Sequence, residues 1–353
     1  MSSLKIPRQI SFEPHWKSIL SEYITVLTWS VTGVLAAATA SGEVVLWQDG
    51  QLTILLPEIG LSVDCLAFSA DGQFLAAGGQ DGKVRIARML PIPELITTLE
   101  NAPQWIDRLC WCPTSHILAF SLGRYVQLWD AETQTRITTL PFVSSSILSM
   151  SWRPDGECLA VAGNEGAKIW EARNWDDDPY MMYMDAASLE IAWSTDGKYL
   201  ASGNLDNTIT VLEWGYPHPW LMRGFPGKIR QLVWSKPFND KVPLLAASSV
   251  EGIAVWTKAN RDEEGWNAKI LTLHEGIVQG LAFQPNSLLL ASAAEDGLLC
   301  LWQKAKEVGQ ILEDTKNGFS SLAWHPLGDL LAAGGQDGEL MIWQQSSRGK
   351  GFK

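Results

Sequence analysis

Three groups of residues carry side chains that could do chemistry. Cys110, Cys112 and His116 put two thiols and an imidazole within seven residues, and strand alternation would set both thiols on one face, a soft donor set for zinc. His274, Ser292 and Asp296 have the residue types of an acyl-transfer triad. His325 is a third candidate ligand, and the glycine-rich runs Ala77 to Gly82 and Ala333 to Gly338 invite comparison with phosphate-binding loops. The sequence contains no GxSxG, no HExxH and no CxxC pair. What each group can do depends on the element that holds it.

Those elements follow from one period. Trp29, Phe68, Trp111, Trp152, Trp193, Trp234, Phe283 and Trp324 recur at intervals of 39, 43, 41, 41, 41, 49 and 41 residues. Eight copies of one unit of about 40 to 45 residues, each with four strand-like runs, predict propeller blades. The second copy shows the unit in full, with strands expected at Val63 to Ser69, Phe74 to Gly79, Val84 to Ala87 and Leu95 to Leu99. Asp71-Gly72 and Asp81-Gly82 mark its first two turns, because glycine supplies the positive φ of a tight hairpin at no steric cost. The same dipeptide recurs at 155–156, 196–197, 296–297 and 337–338. Each copy therefore reads as an antiparallel four-stranded meander, with strands a to d in chain order.

Strand c adds a second aromatic column, Trp47, Trp129, Trp170, Trp256, Trp302 and Trp343, broken only by Ala87 and Leu212. Together the two columns hold twelve of the 18 tryptophans, placed to fill the wedges between neighbouring blades. Cys110 falls in a column of small residues, Ala67, Ala282 and Ala323, so it reads as packing. His325 stands where other copies have Ser69, Ser194 or Gln284, a strand-end position. The glycine-rich runs fall on hairpins.

On these repeats the chain resembles a WD-repeat propeller over nearly its whole length. It departs from that family's signature often: Trp-Asp stands only at 129–130, and no copy keeps Gly-His. The resemblance implies an all-β, eight-bladed propeller, the alternative being a seven-bladed ring with one copy outside it. It also implies that His274, Ser292, Asp296 and Trp302 form the family's structural hydrogen-bonded network rather than a catalytic one. Similar propellers close with an N-terminal strand, and Leu4 to Phe12 is the segment expected to complete the last blade, removing an exposed edge. The expected organisation is an N-terminal closing strand and entry segment at 1–22, the eight-repeat propeller at 23–345 and a flexible tail at 346–353.

Composition narrows the function further. Hydrophobic residues make up 46% and charged residues 19%, as in a domain with a large buried fraction. No apolar run approaches the length of a membrane span, and the first residues have no signal-peptide core. Five cysteines without framework spacing fit a reducing compartment, so the expectation is a cytoplasmic monomer, not inserted in a membrane. A net charge of −12 argues against nucleic acid. No cofactor is expected, and the class expected is a non-catalytic protein-binding scaffold, the alternative being an enzyme with its site in the central channel.

Two faces compete for the partner. The b–c and d–a loops, the top face, collect thirteen acids, including Glu43, Glu100, Glu165, Glu251, Glu313 and Asp314, against four bases that include Arg124. Such a face would steer a basic segment of a protein partner, with Trp105 as an aromatic anchor. The opposite face is lengthened only at copies four to six, at 173–180, 215–220, 236–243 and 259–269. Trp175, Tyr180, Trp220 and Trp266 lie there outside the packing columns, the residue types of interface hot spots.

Overall fold

The computed structural model describes residues 11–238, 241–250, 252–313 and 315–346. Eight separate four-stranded antiparallel sheets follow one another along the chain. Blade 1 is Ile24–Trp29, Leu35–Thr39, Val44–Gln48 and Gln51–Leu56; blade 2 is Val63–Phe68, Phe74–Gly79, Lys83–Arg88 and Glu94–Glu100. Blade 3 is Leu109–Trp111, Ile117–Leu122, Tyr125–Asp130 and Thr135–Pro141; blade 4 is Ser149–Trp152, Cys158–Gly163, Gly166–Glu171 and Tyr180–Tyr183. Blade 5 is Ser188–Trp193, Tyr199–Asn204, Ile209–Glu213 and Trp220–Met222; blade 6 is Gln231–Trp234, Leu245–Ser248, Ile253–Lys258 and Trp266–Leu271. Blade 7 is Val278–Phe283, Leu290–Ala294, Leu298–Gln303 and Glu307–Glu313. The eighth has Phe319–Trp324, Leu330–Gly335 and Glu339–Gln345 as strands a to c.

Blades 8 and 1 meet directly. Leu27 N–H donates to Ser321 Oγ at 3.1 Å and Trp29 Nε1–H to the Ala323 carbonyl at 3.2 Å, so all eight blades share one ring and the seven-bladed alternative falls. The ring closes with an N-terminal strand, but not the one expected. Phe12–Ile19 is the fourth strand of blade 8, antiparallel to Glu339–Gln345, with Phe12 opposite Gln345 and Ile19 opposite Glu339. The expected strand at Leu4 to Phe12 shares only Phe12 with it, and residues 4–10 lie outside the described residues. A shift in register between Pro14 and Trp16 lets the strand carry a proline, which only an edge strand tolerates. Phe12 is buried beside Trp324, and Gln310 of blade 7 clamps its backbone, Phe12 N–H donating to Oε1 at 2.8 Å and Nε2–H to the Phe12 carbonyl at 2.7 Å.

The core lies between blades. Each interface packs the strand-a aromatic and strand-b alanines and leucines of one blade against its neighbour, as with Trp152, Leu159 and Trp170 against Ala119 and Leu128. Where strand c lacks its tryptophan, the residue two positions along the same face fills the gap. Met89 is buried beyond Ala87, and Trp214 beyond Leu212 meets Trp193 edge-on at 5.3 Å. Among the described residues the only helical turn is the 3-10 segment Asp262–Glu264, inside the blade 6 insertion.

Candidate protein-binding face

The first chemical constellation is assembled but sealed. His274 precedes strand a of blade 7, and strand b delivers Ser292 beneath it. Trp302 Nε1–H donates to Ser292 Oγ at 2.8 Å, Ser292 Oγ lies 2.7 Å from His274 Nε2, and His274 Nδ1 lies 3.1 Å from Asp296 Oδ2. With the serine oxygen accepting from the indole, its proton turns to Nε2 and the imidazole carries its own proton on Nδ1 toward Asp296. Asp296 also accepts the backbone N–H of Glu275 and Leu298, each at 2.9 Å, which outweighs its burial and holds its carboxyl below the usual range. Burial lowers the His274 pKa against the pull of Asp296. The order Ser, His, Asp is that of a triad, yet the His274 side chain is 1% exposed and Ser292 is fully buried, so no substrate reaches the hydroxyl. The group ties strands b and c to the loop before strand a.

The second constellation does not converge. Both nitrogens of His116 are taken by carboxylates, Nε2 by Asp71 of blade 2 at 2.7 Å and Nδ1 by Glu132 at 2.6 Å. Burial opposes its charge, but the two carboxylates prevail and raise its pKa above the ordinary histidine value. Cys112 packs among Trp152 and Leu128, away from that pair, and burial pushes the Cys110 thiol up to about 12. His325 is held by Asp329 at 2.5 Å and meets Trp29 edge-on at 4.9 Å, a structural post at the end of strand a.

At the central channel, Arg108, Glu190 and Arg230 surround a cavity of about 330 Å³ together with Gln231 and Gln279. Burial pushes the Glu190 carboxyl up to about 7, against the influence of Arg108 and a hydrogen bond from Ser149.

The aromatics of the insertions mostly turn inward. Trp266 is 9% exposed and lies among Tyr199, Trp220 and Trp234; Trp220 is covered further by the Lys258 ammonium at 5.1 Å from its ring. Trp175 caps Trp152 at 5.9 Å, and Tyr180 leans on Trp214 at 5.6 Å while keeping an exposed edge. These rings cover the lower ends of wide blade interfaces, because a ring gains more by removing its faces from water than by standing free.

The top face is built differently. Much of its acid is already committed: Asp81 to Arg85 at 2.5 Å, Glu100 to Lys83 at 2.9 Å, Glu43 to the Ser21 hydroxyl at 3.0 Å, Glu295 to Gln279 at 2.6 Å and Asp206 to Thr208 at 2.7 Å. Glu251 and Asp314 lie outside the described residues, as does the side chain of Glu313. Single exposed aliphatic residues such as Ile19, Leu61 and Leu205 stand elsewhere on this face, and its exposed aromatic rings form an arc over blades 2 to 4. Trp105 in the loop into blade 3 is 55% exposed, Tyr125 50%, Val143 60% and Tyr183 75%.

Contacts make that arc continuous. Gly123, at φ +58°, lies so close to Gln104 Oε1 that a Cβ there would stand 2.7 Å from it, which joins the Trp105 loop to the blade 3 hairpin. From that hairpin the Arg124 carbonyl accepts Phe142 N–H at 2.9 Å, and Arg124 Nη1–H reaches the Val143 carbonyl at 3.4 Å. Asn164 N–H of blade 4 donates to Ser145 Oγ at 2.8 Å. Phe142, Val143, Glu165, Lys168, Met181 and Tyr183 then line a cavity of about 430 Å³ that opens upward between blades 3 and 4. Of the residues singled out on this face from sequence, Trp105, Arg124 and Glu165 belong to the arc; Tyr125, Val143 and Tyr183 were missed.

Four segments of the chain, 59–86, 188–212, 265–303 and 306–344, match the family described as WD domain, G-beta repeat. They fall on strands a to c of blades 2, 5, 7 and 8, each of the last two with the strand d that precedes it. The chain is a WD-repeat propeller. No curated protein matches it. The remaining four blades share the strand order of the matched ones with a weaker signature, and WD-repeat propellers as a class hold protein partners more often than they catalyse.

Proposed function

We propose that the chain is a non-catalytic interaction platform that holds a protein partner on its top face over blades 2 to 4. The observation that carries this reading is the exposed arc from Trp105 through Tyr125 and Val143 to Tyr183. It stands on loops hydrogen-bonded to one another across three blades, so the rings are held out of the core by backbone that cannot collapse over them. Aromatic anchors on a rigid frame supply contact area at little ordering cost. The enzyme alternative rests on the channel, where Glu190 is the carboxylate with a shifted pKa; its neighbours there are arginines and glutamines and not a second acid or a histidine that could relay its proton.

Photo-crosslinking tests the location. A photoreactive phenylalanine analogue at 105 or 183 should capture partner from native extract, and the same analogue at 216 on the insertion face should not. Capture from 216 alone contradicts the placement. A basic partner segment, the reading suggested by the charge of the whole face, remains the contrasting description of what is captured.

A further inference from the structure

We infer that the insertion face carries a docking site for an extended apolar segment at blade 7, and that its occupant is the chain's own residues 4–10. The site is a cavity of about 290 Å³ walled by Leu288, Leu289, Leu301 and Gly309 of blade 7 and by Phe238 of blade 6. Leu289 and Leu301 belong to the cluster that packs blade 7 against blade 8. Phe238 comes from the lengthened loop at 236–243, which Lys236 ties to blade 7 by donating from Nζ to Asn286 Oδ1 at 2.9 Å. Its ring is half exposed at the rim. Small-molecule sites run from about 300 to 1,000 Å³ and converge several polar groups on the ligand. This cavity sits at the lower end of that range, and Lys304 is the one ionisable side chain among its described walls, so it suits the aliphatic side chains of a peptide.

The occupant follows from where the chain enters the fold. Phe12 shares one cluster with Leu289 and Leu301, two of the cavity's walls, and its backbone is clamped by Gln310, the residue after Gly309 in a third wall. Phe12 stands opposite Gln345, at the end of strand c that leads to the insertion face, and the Ser11 carbonyl still accepts Ser346 N–H at 2.8 Å. The residues before Ser11 therefore start beside the cavity. Side chains of an extended chain alternate at about 3.3 Å per residue, so Ile10 falls on the Phe12 side and about 7 Å beyond it. In LKIPRQISF the even positions are Leu4, Ile6, Arg8, Ile10 and Phe12, and the odd ones Lys5, Pro7, Gln9 and Ser11. That is the alternation of a half-buried strand in step with Phe12, and the register shift between Pro14 and Trp16 comes after it. Pro7 keeps Ile6 extended, and Arg8 lays its stem on apolar surface with its guanidinium in water. Ile10 enters the cavity and Ile6 continues along its rim. A segment tethered at the mouth has an effective concentration on the order of millimolar, which a second copy or a separate partner must exceed to take its place.

The test places a photoreactive phenylalanine analogue at 238 in the full chain and maps its crosslinks by peptide mass spectrometry. The adduct should run at the mass of a single chain and join 238 to a residue within 4–10. Ile10→Asp should remove most of it, whereas Gln9→Asp, the same charge one residue away on the other side of the segment, should keep it. Leu288→Glu, which alters the cavity wall and leaves the segment native, should remove it as well. A crosslink to any other part of the chain overturns the inference, as does equal loss in Ile10→Asp and Gln9→Asp or persistence of the adduct in both Ile10→Asp and Leu288→Glu. An adduct at the mass of two chains gives the site to a second copy, and capture of another protein without the intrachain adduct gives it to a partner; either result overturns residues 4–10 as the occupant.

Discussion

The indole Nε1–H of Trp324 donates to the carbonyl of Ala282, one blade back, at 3.0 Å. The same bond joins Trp29 to Ala323 at 3.2 Å, Trp111 to Ala67 at 2.9 Å and Trp234 to Ala192 at 3.0 Å, so the strand-a column stitches blades as well as filling the wedge between them. Trp152 and Trp193 keep the ring but leave Nε1 buried without a partner among the described residues. Replacing Trp324 by Phe should therefore cost about 1 kcal/mol more than Trp152→Phe, because only the former leaves a carbonyl unpaired. Chemical denaturation of the two variants measures the difference, and equal losses would reduce the column to packing alone.

Closure of the ring rests on Phe12–Ile19. Removing residues 1–19 should bare the edge of Glu339–Gln345, lower the melting temperature and drive association visible in sedimentation, since an unpaired edge recruits another strand. Gln310→Ala should act in the same direction by about 1 to 2 kcal/mol, because it strips both partners from the Phe12 backbone. A truncated chain that melts unchanged as a monomer contradicts this assignment.

Two histidines should respond to pH with opposite signs. His116 has a folded-state pKa above its unfolded value near 6.5, so its link to Asp71 and Glu132 contributes fully below that pH and is lost as pH rises beyond it. His116→Ala should lower the melting temperature more at pH 6 than at pH 9. His274 is depressed, so its contribution is present above about 6.5 and is lost on acidification; the deficit of His274→Ala should shrink below that pH. Melting curves across pH 5 to 9 check both, and parallel profiles would refute the contrast.

Glu190 supplies a third pH effect. Its carboxyl is raised to about 7, so the stability tied to its protonated form is present at low pH and disappears as pH climbs from the ordinary carboxylate range through about 7. Glu190→Gln should consequently melt higher than the native chain at pH 8 and level with it near pH 5. A variant less stable at pH 8 would mean that the ionised carboxylate is held by Arg108 more strongly than burial opposes it.

The blades were legible because two periods coincide in them, the long repeat of Trp or Phe in all eight and, in blades 2, 4, 5, 7 and 8, the local alternation around Asp-Gly hairpins. Closure by an N-terminal strand was legible too, but not its bounds, since Glu13, Pro14, His15 and Lys17 make FEPHWKSI look like a polar entry segment; its signal was Phe12 and Trp16, set out of step by the bulge. Ala87 and Leu212 looked like gaps because the compensating Met89 and Trp214 stand one alternation later. Exposure was harder still. Tyr125 is paired with Pro141 and Tyr183 with Gly166, cross-strand neighbours too small to cover a phenol ring, whereas Trp220 and Trp266 find each other and Tyr199. A sequence lists aromatics outside the columns without saying which of them have company. Side-chain commitment was equally hidden: the acids of the top face could be counted, but not those already spent on Arg85, Lys83 or His274.

The central claim is that the partner sits on the exposed arc, and affinity measured with two folded double variants tests it most directly. Trp105→Ala with Tyr183→Ala should weaken partner binding by about 2 kcal/mol or more, the usual cost of removing an interface hot spot, while Trp175→Ala with Tyr216→Ala leaves it unchanged. Full affinity in the first variant together with loss in the second would contradict the account and move the site to the insertion face.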